Sequence, residues 1–268
     1  MTIEQIISKR EYLTPSRYVS GRIIEYDMRS ANISIMRHID MITQESYEKL
    51  KSLPKIIRER EVGLMEKSDP SIYTSIANGI KEAKLELASF NKLEPEQILR
   101  VANDAVYVNS MVDLSYTKFG DFIEFVPKNM YNVYCNLNGK LIFCRFDPDG
   151  NIHIDTKCLG KNSALHRDYM IYTIMSTITI LERSSVQDAI DYLYEICEAY
   201  LARKLPVGFY REFNVESMFR SNYKINGCPY CFSSAYETDK SELDINYNYT
   251  ILRELWSILL EFYTREKR

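Results

Sequence analysis

The sequence predicts an α+β protein in which an antiparallel sheet is backed by helices and followed by a helical region. This prediction rests on changes in the spacing of apolar residues along the chain. Apolar residues recur at helical spacing between residues 43 and 92, at a spacing of two from about residue 97, and at helical spacing again from residue 168. Strands and helices in separate stretches of a chain are typical of the α+β class.

The first 60 residues predict one strand and two helices. The segment "GRIIEYDMRSANISIM" (21–36) indicates a strand that ends on an acid, Asp27, followed by a helix that Ser30 is placed to cap. Thr43 is placed to cap the next helix, which runs towards Arg60.

A longer amphipathic helix is predicted to follow. Asp69 and Pro70 supply an N-cap and a proline at the first helical position of "PSIYTSIANGIKEAKLELASF". Lys84 lies near the border of its apolar face. The residues of that face form one stripe: Ile72, Ile76, Ile80, Ala83 and Leu87.

The middle of the chain predicts antiparallel strands joined by tight turns. In "ILRVANDAVYVNS" two short strands meet at Asn103 and Asp104, residue types that favour turns because their side chains bond the local backbone. "FGDFIEFVP" follows, and then "MYNVYCNLNGKLIFCRF", whose Asn138-Gly139 pair is a strong hairpin signal. "NIHIDTK" completes the set of predicted strands.

The last hundred residues predict helices. "RDYMIYTIMSTITILERS" has helical spacing, and "SVQDAIDYLYEICEAYLARKLP" follows it behind a predicted capping-box pair, Ser184 and Gln187. A final amphipathic helix is predicted over residues 249–267.

Composition narrows the classes of protein that fit. With 268 residues, 46% of them hydrophobic and 26% charged, the chain can bury a core in one large domain or two small ones. Apolar runs end well before about 18 residues and no apolar signal core is present, so we expect no membrane span and a cytoplasmic protein. The formal net charge of −3 means that any nucleic-acid contact must come from a local basic surface.

Six cysteines without a disulfide framework indicate reduced thiols. The motif "CPYC" at Cys228 and Cys231 has the spacing of a redox dithiol or of half a zinc site. No second CxxC pair exists and the three histidines are scattered, which argues against zinc. The motif also lies late in the chain in a loop-like segment, so we expect structural thiols.

Two carboxylates stand at the ends of predicted strands, Asp27 and Asp104. A central sheet that brings them together would allow them to hold a pair of Mg²⁺ ions for phosphoryl transfer, because hard cations prefer carboxylate oxygens. The alternative is that Asp27 helps to cap the helix of Ser30 and that Asp104 only forms a turn.

Three segments in order resemble motifs of family B DNA polymerases. "DMRSANI" at 27–33 is similar to the palm motif D-x-x-S-L-Y-P, and "KLELASFN" at 84–91 is similar to the fingers motif K-x-x-x-N-S-x-Y-G. "VANDAVYV" at 101–108 resembles the palm motif Y-G-D-T-D-S, with Asp104 on its second acid.

Further matches follow downstream. "KNMY" at 128–131 resembles the K-K-x-Y motif, and "IDTKCLG" at 154–160 resembles the strand D-V-K-G-L that follows it in the family. "HRDYM" at 166–170 is similar to the start of the thumb, which often reads R-R-D.

The chain also departs from the family pattern. Ala102 stands in place of the first acid of the D-T-D triplet, and Val101 in place of the glycine before it. Asn32 replaces the tyrosine that screens the sugar 2′ position, and Asn91 replaces the fingers tyrosine. Only about 26 residues precede Asp27, so we expect a palm, short fingers and a thumb without an exonuclease domain.

The resemblance implies a division of the chain and a role for each part. Residues 1–42 and 93–165 would form a palm-like α+β region, residues 43–92 a short helical fingers-like insertion, and residues 166–268 a helical thumb-like region. Asp27 and Asp104 would be catalytic and would bind Mg²⁺ or Mn²⁺. The implied nucleotide-binding residues are Lys84, Arg58, Asn32 and Ser30, and the implied nucleic-acid-binding residues are Lys128, Tyr131 and Lys157.

Three functions are consistent with these features. The first is a minimal or split family B-like nucleotidyltransferase of a bacterial virus or mobile element, acting on primer-template and nucleoside triphosphates in the host cytoplasm. A separately encoded exonuclease or another replication subunit is a candidate partner. The second is a catalytically silent relative that binds primer-template or a replication protein, and the third is an interaction protein that kept only the fold.

Overall fold

The computed structural model describes most of the first 205 residues and short segments beyond them. The described residues are 1–15, 17–137, 139–149, 152–157, 167–202, 204–205, 211–212, 224–225, 228–229, 243–244, 252–253, 255–257 and 259–260.

The element order confirms the predicted α+β class. The helices are α1 (Ile3–Ile7), α2 (Ala31–His38), α3 (Gln44–Ser52), α4 (Lys55–Ser68), α5 (Pro70–Phe90), α6 (Arg167–Arg183) and α7 (Val186–Leu201), with a 3₁₀ turn at Pro95–Gln97. The longer strands are β1 (Glu11–Leu13), β2 (Arg17–Met28), β3 (Ile98–Ala102), β4 (Ala105–Asn109), β6 (Ile123–Leu137), β7 (Lys140–Phe146) and β8 (Ile152–Lys157). Five two-residue strands complete the set: β5 (Lys118–Phe119), β9 (Arg211–Glu212), β10 (Lys224–Ile225), β11 (Cys228–Pro229) and β12 (Leu243–Asp244).

The chain divides into two compact units. The first contains Met1–Pro15, Val19–Tyr134 and Cys144–Phe146, and the second contains the remaining residues. Strands β2, β6 and β7 contribute residues to both units. The sequence-based assignment of palm-like, fingers-like and thumb-like regions stays a prediction.

The first unit is built on a sheet with the strand order β1-β3-β4-β2-β6. The pairs β1–β3, β3–β4 and β4–β2 are antiparallel, and β5 pairs antiparallel with β6. The hairpin of β3 and β4 turns at Asn103 and Asp104, as predicted. Asp27, near the end of β2, is paired with Ala105, the first residue of β4. Strand pairing alone therefore brings the two predicted acids to the same end of the sheet.

Helix α5 covers one face of this sheet. Its Ala83 and Leu87 belong to a buried cluster with Ile24 of β2 and Val106 of β4, so the C-terminal part of the predicted apolar stripe packs on the strands. Ile76, nearer the start of the stripe, belongs to a second buried cluster formed with residues of α2, α3 and α4. Burial of aliphatic side chains of this kind stabilises the unit by about 1.5–3 kcal/mol for each side chain. The antiparallel sheet backed by helices is thus confirmed.

Helix starts follow the predicted capping chemistry in two of four cases. Thr43 accepts a hydrogen bond from the Ser46 amide, and Asp69 accepts one from the Ser71 amide. The cap of α7 is Ser185, which accepts from the Asp188 amide, rather than the predicted Ser184.

Ser30 precedes α2 in a left-handed conformation (φ 51°), and its side chain makes no capping hydrogen bond. The predicted capping role of Ser30 is therefore wrong. A capping residue normally has an extended backbone that points its oxygen at the first amides of the helix, and the left-handed conformation removes this alignment.

The second unit contains a helical pair. Helices α6 and α7 pack together, and the α7 residues Ala189 and Leu193 are buried. Residues 252–253, 255–257 and 259–260 are helical, in line with the predicted final helix, and the Trp256 indole donates to the Cys197 sulfur at 3.0 Å. Among the described residues, no helix is both long enough and apolar enough to cross a membrane.

Candidate active site

The carboxylates of Asp27 and Asp104 belong to adjacent backbone segments. The amide of Met28 donates to the Asp104 carbonyl at 3.1 Å, which joins the end of β2 to the β3–β4 turn. A cavity of about 270 Å³, here called the acid cavity, is lined by both acids and by three more of the predicted residues: Ser30, Asn32 and Arg58. Five residues chosen from the sequence therefore meet at one place.

The two acids interact electrostatically. The pKa of Asp104 is raised, first because the side chain is partly buried and second because the negative charge of Asp27 is near. The ammonium groups of Lys128 and Lys55 oppose this effect. Two carboxylates that repel each other in a partly enclosed cavity favour the binding of a cation between them.

One cation already lies beside Asp27. The Lys128 ammonium donates to Asp27 Oδ2 at 2.9 Å, and Glu25 Oε1 is 3.9 Å from the same nitrogen. The hydrogen bond to Asp27 is the largest cause of the raised pKa of Lys128. Lys128, predicted as a nucleic-acid contact, is thus engaged with the acid site.

Glu25 is a site residue that the sequence reasoning missed. Its side chain is only 5% exposed, and Asn129 donates to its second oxygen at 2.6 Å. The spacing of two between Glu25 and Asp27 in a strand was an available signal, because residues i and i+2 of a strand lie on the same face.

The acid cavity also contains groups suited to anions. Helix α2 starts at this cavity without a side-chain cap, so its first backbone amides are available to a ligand. The positive end of the helix dipole favours negative charge at the same position. Lys55 and Arg58 line the cavity beside it. Lys55 was not among the predicted residues.

Lys84 lies in an adjoining cavity of about 520 Å³, here called the basic cavity. Lys9, Arg10 and Lys81 also line it, and it shares Asn32 and Asp104 with the acid cavity. The Lys84 side chain is only 3% exposed, and burial lowers its pKa to about 8 against the opposing effect of Asp104. Its ammonium donates to the Asn103 carbonyl at 2.7 Å. Lys84 therefore holds the turn that carries Asp104.

Arg10 holds the same turn from the other side. The Asn103 amide donates to the Arg10 carbonyl at 3.1 Å, and Arg10 Nε donates to Asn103 Oδ1 at 3.1 Å. Arg10 Nη1 also donates to the Tyr73 hydroxyl at 3.2 Å, which fixes the guanidinium against α5. Because Asn103 has a positive φ of 44°, these bonds support a conformation that costs energy for a residue with a side chain.

Tyr131 does not lie where the predicted nucleic-acid surface requires it. Tyr131 is only 1% exposed, and the Arg145 guanidinium lies 5.7 Å from its ring centre, so this ring is not available to stack on a base. Lys128 is 51% exposed in the same strand. An odd spacing in a strand directs the two side chains to opposite faces, and this explains the different burial. Lys157 is the last residue of β8, and its side chain lies outside the described residues.

The cysteine motif falls mostly outside the described residues. Cys228 begins the short strand β11, and Cys231 lies outside them. Within the part of the chain that the structure describes, no group of three or more His, Cys, Asp or Glu side chains is arranged to hold a metal. The acid cavity is lined by Asp27, Asp104 and Glu59, but these three acids do not form such a group.

Comparison with known proteins gives a family and similar solved structures. No curated protein matches the chain. The solved structure of the family B DNA polymerase from the hyperthermophilic archaeon Pyrobaculum calidifontis is similar to it with a TM-score of 0.48 and 14% identity, over 91% of this chain and 45% of that chain. The chain thus spans less than half the length of that polymerase. Residues 1–261 match the family described as Bacteriophage PBS1 gene 130 protein. Because this match includes almost the whole sequence, the chain belongs to the Bacteriophage PBS1 gene 130 protein family.

Proposed function

We propose that this chain is a template-directed nucleotidyltransferase that resembles a minimal or split family B DNA polymerase. The observation that carries the proposal is the acid cavity, where Asp27 and Asp104 meet Ser30, Asn32 and Arg58. Phosphoryl transfer requires carboxylates that bind hard cations and basic groups that bind phosphate oxygens. Both kinds of group line this cavity.

The acid pair is assigned to Mg²⁺ or Mn²⁺. Carboxylates suit hard cations, and the charge of Asp27 contributes to the raised pKa of Asp104, so a bound cation relieves this repulsion. When bound, two such ions would stabilise the charge on the attacking and leaving oxygens. Two carboxylates cannot complete two coordination shells, so the remaining positions are assigned to substrate phosphates and water.

The phosphates of the incoming nucleotide are assigned to the start of α2 and to Arg58. Backbone amides at a helix start bind anionic oxygens, and a guanidinium binds two oxygens at once. Both groups line the acid cavity next to Asp27. Lys84 serves this site through the Asn103 carbonyl, because its bond there positions Asp104. Ser30 precedes α2 and lines the same cavity, and it is also assigned to the nucleotide.

The assigned partners are primer-template nucleic acid and nucleoside triphosphates. Lys128 and Lys157 are proposed to contact the nucleic-acid backbone. A separately encoded exonuclease or another replication subunit would supply activities outside this chain. The proposed location is the cytoplasm of a bacterial host, where replication of a phage genome takes place.

Primer extension tests the proposal directly. The protein is incubated with a primed single-stranded template, nucleoside triphosphates and either Mg²⁺ or Mn²⁺. We expect extension by the wild type and none by Asp27→Ala, because loss of a ligand carboxylate removes the metal site. Asp121→Ala is the matched control, since Asp121 is an exposed acid of the same unit outside the acid cavity.

Circular dichroism should show that Asp27→Ala is folded, because loss of the Asp27 carboxylate removes a negative charge that repels Asp104. Extension that persists in this variant, or is lost equally in the Asp121 control, would contradict the assignment of the acid pair.

Asn32 predicts weak selection of the sugar. A tyrosine ring would block a ribose 2′-hydroxyl, whereas the shorter asparagine leaves room for it and can form a hydrogen bond. We expect discrimination against ribonucleotides of only about tenfold, or about 1.4 kcal/mol. Single-nucleotide insertion with paired deoxy and ribo substrates measures this ratio, and Asn32→Tyr should increase it.

A catalytically silent protein that binds primer-template or a replication protein is the second candidate. Two observations favour it: Ala102 replaces one acid of the family triplet, and Lys128 pairs with Asp27 at 2.9 Å. Binding without extension in either metal would support this candidate.

The salt dependence of primer-template affinity tests the proposed contacts in both cases. The double variant Lys128→Ala and Lys157→Ala should flatten the log-log slope by up to about two, because each lost phosphate contact removes slightly less than one. Lys118→Ala is the control. An unchanged slope in the double variant would exclude these lysines as phosphate contacts.

A further inference from the structure

The ammonium of Lys128 lies between two carboxylates of β2. It is 2.9 Å from Asp27 Oδ2 and 3.9 Å from Glu25 Oε1. Asp104 also attracts it electrostatically. Three negative charges at this end of the sheet are thus balanced in part by one side chain of β6.

We propose that Lys128 is an internal counter-ion that occupies the cation position at Asp27 until a divalent metal ion displaces it. This inference rests on the proposed function, because it assumes that Asp27 is a metal ligand. It adds a competition between a side chain of the protein and the metal for one carboxylate oxygen.

Geometry makes the competition direct. A Mg²⁺ ion binds a carboxylate oxygen at about 2.1 Å. An ion on Asp27 Oδ2 would therefore lie at most about 5 Å from the Lys128 nitrogen as it stands at 2.9 Å from that oxygen. At this separation a double and a single positive charge repel strongly, so the ammonium must move when the metal binds.

The surroundings allow Lys128 to move without leaving the acids. Lys128 is 51% exposed, so its flexible side chain has room to rotate, whereas Glu25 is only 5% exposed. Asn129 donates to Glu25 Oε2, and Oε1 is the Glu25 oxygen nearest to Lys128. A small rotation away from Asp27 therefore keeps the ammonium beside a second carboxylate.

Removal of the Lys128 charge should strengthen metal binding. We expect Lys128→Met to bind Mn²⁺ about threefold to tenfold more tightly than the wild type, because no partly exposed ion pair has to be broken first. Mn²⁺ affinity is measured by titration calorimetry and by electron paramagnetic resonance of the free ion. Lys118→Met is the matched control, since Lys118 pairs with Glu124 at 3.2 Å and makes the same change of charge outside the acid cavity.

The outcomes separate the inference from the proposed function. Tighter binding in Lys128→Met, unchanged binding in Lys118→Met, and loss of binding in Asp27→Asn support both. Binding that depends on Asp27 but is equal or weaker in Lys128→Met overturns the counter-ion role and leaves the proposed function intact. An absence of Mn²⁺ binding in all variants overturns both.

Lys128→Gln provides a second neutral variant if the methionine side chain perturbs folding. It should strengthen Mn²⁺ binding in the same way, because the charge and not the length of residue 128 is responsible. Affinities that differ in direction between the two neutral variants would overturn the counter-ion role.

Discussion

The buried lysine of α5 should make the stability of the first unit depend on pH. Burial lowers the pKa of Lys84 from 10.5 to about 8. Below pH 8 the folded protein therefore carries a buried ammonium, which is less favourable than the same group in the unfolded chain. Between pH 8 and 10.5 the unfolded chain binds more protons than the folded protein, so this group adds stability as the pH rises.

The magnitude follows from the two pKa values. The pKa of Lys84 is about 8 in the folded protein and 10.5 in the unfolded chain. Because of this difference, Lys84 raises the free energy of unfolding by about 2 kcal/mol between pH 7 and pH 9.5. Lys84→Met lacks this contribution. It also loses the bond to the Asn103 carbonyl, but this loss gives a constant offset between the two proteins.

Urea unfolding followed by circular dichroism at several pH values measures the effect. The free energy of unfolding of the wild type relative to Lys84→Met should rise by about 2 kcal/mol over this range. Lys81→Met is the control for removal of a lysine from the same helix, since Lys81 is only partly buried. A wild-type advantage that stays constant or falls as the pH rises would refute the reasoning.

Three further predictions concern stability and are measured by thermal or urea unfolding. Gly79→Ala should destabilise the protein by about 1–3 kcal/mol, because the new Cβ would lie 2.4 Å from Ile35 Cγ2. Gly63→Ala should stabilise α4 by about 0.8 kcal/mol, because the new Cβ would have no other atom within 4 Å. Equal effects of the two glycine substitutions would contradict the close contact between Gly79 and Ile35. Ser185→Ala should cost about 1 kcal/mol through loss of the α7 cap, and an unchanged midpoint would show that another group replaces it. Asp104→Asn should be more stable than the metal-free wild type at pH 7, because the raised pKa of Asp104 means that its charged form is unfavourable in the folded protein. This advantage of the variant should become smaller near pH 4, where more of the Asp104 carboxyl is protonated. A wild type that is more stable than the variant at pH 7 would contradict this prediction.

Local chemistry made much of the fold predictable. Asn103 and Asp104 form the predicted turn, and Thr43 and Asp69 cap the predicted helices, because each signal depends on a few neighbouring residues. The adjacent serines before α7 could not be distinguished, since either can place an oxygen near the first amides.

Features that depend on distant parts of the chain were less accessible. The burial of Tyr131 and the bond from Lys84 to the Asn103 carbonyl are set by strand pairing and helix packing rather than by local pattern. The ion pair of Lys128 with Asp27 joins residues 101 positions apart. The sequence therefore predicted five of the residues that line the acid cavity, but not which residues bind each other.

The two bonds between Arg10 and the Asn103 turn have a practical consequence for preparing the protein. Trimming the first ten residues to aid crystallisation would remove both bonds and the buried Ile6 and Ile7, and with them the support of the turn that carries Asp104. An affinity tag joined ahead of Thr2 meets no such obstacle, because Met1 is 65% exposed and Thr2 caps α1 through its own side chain. Preparations intended for metal or nucleotide binding should therefore keep every residue from Thr2 onwards.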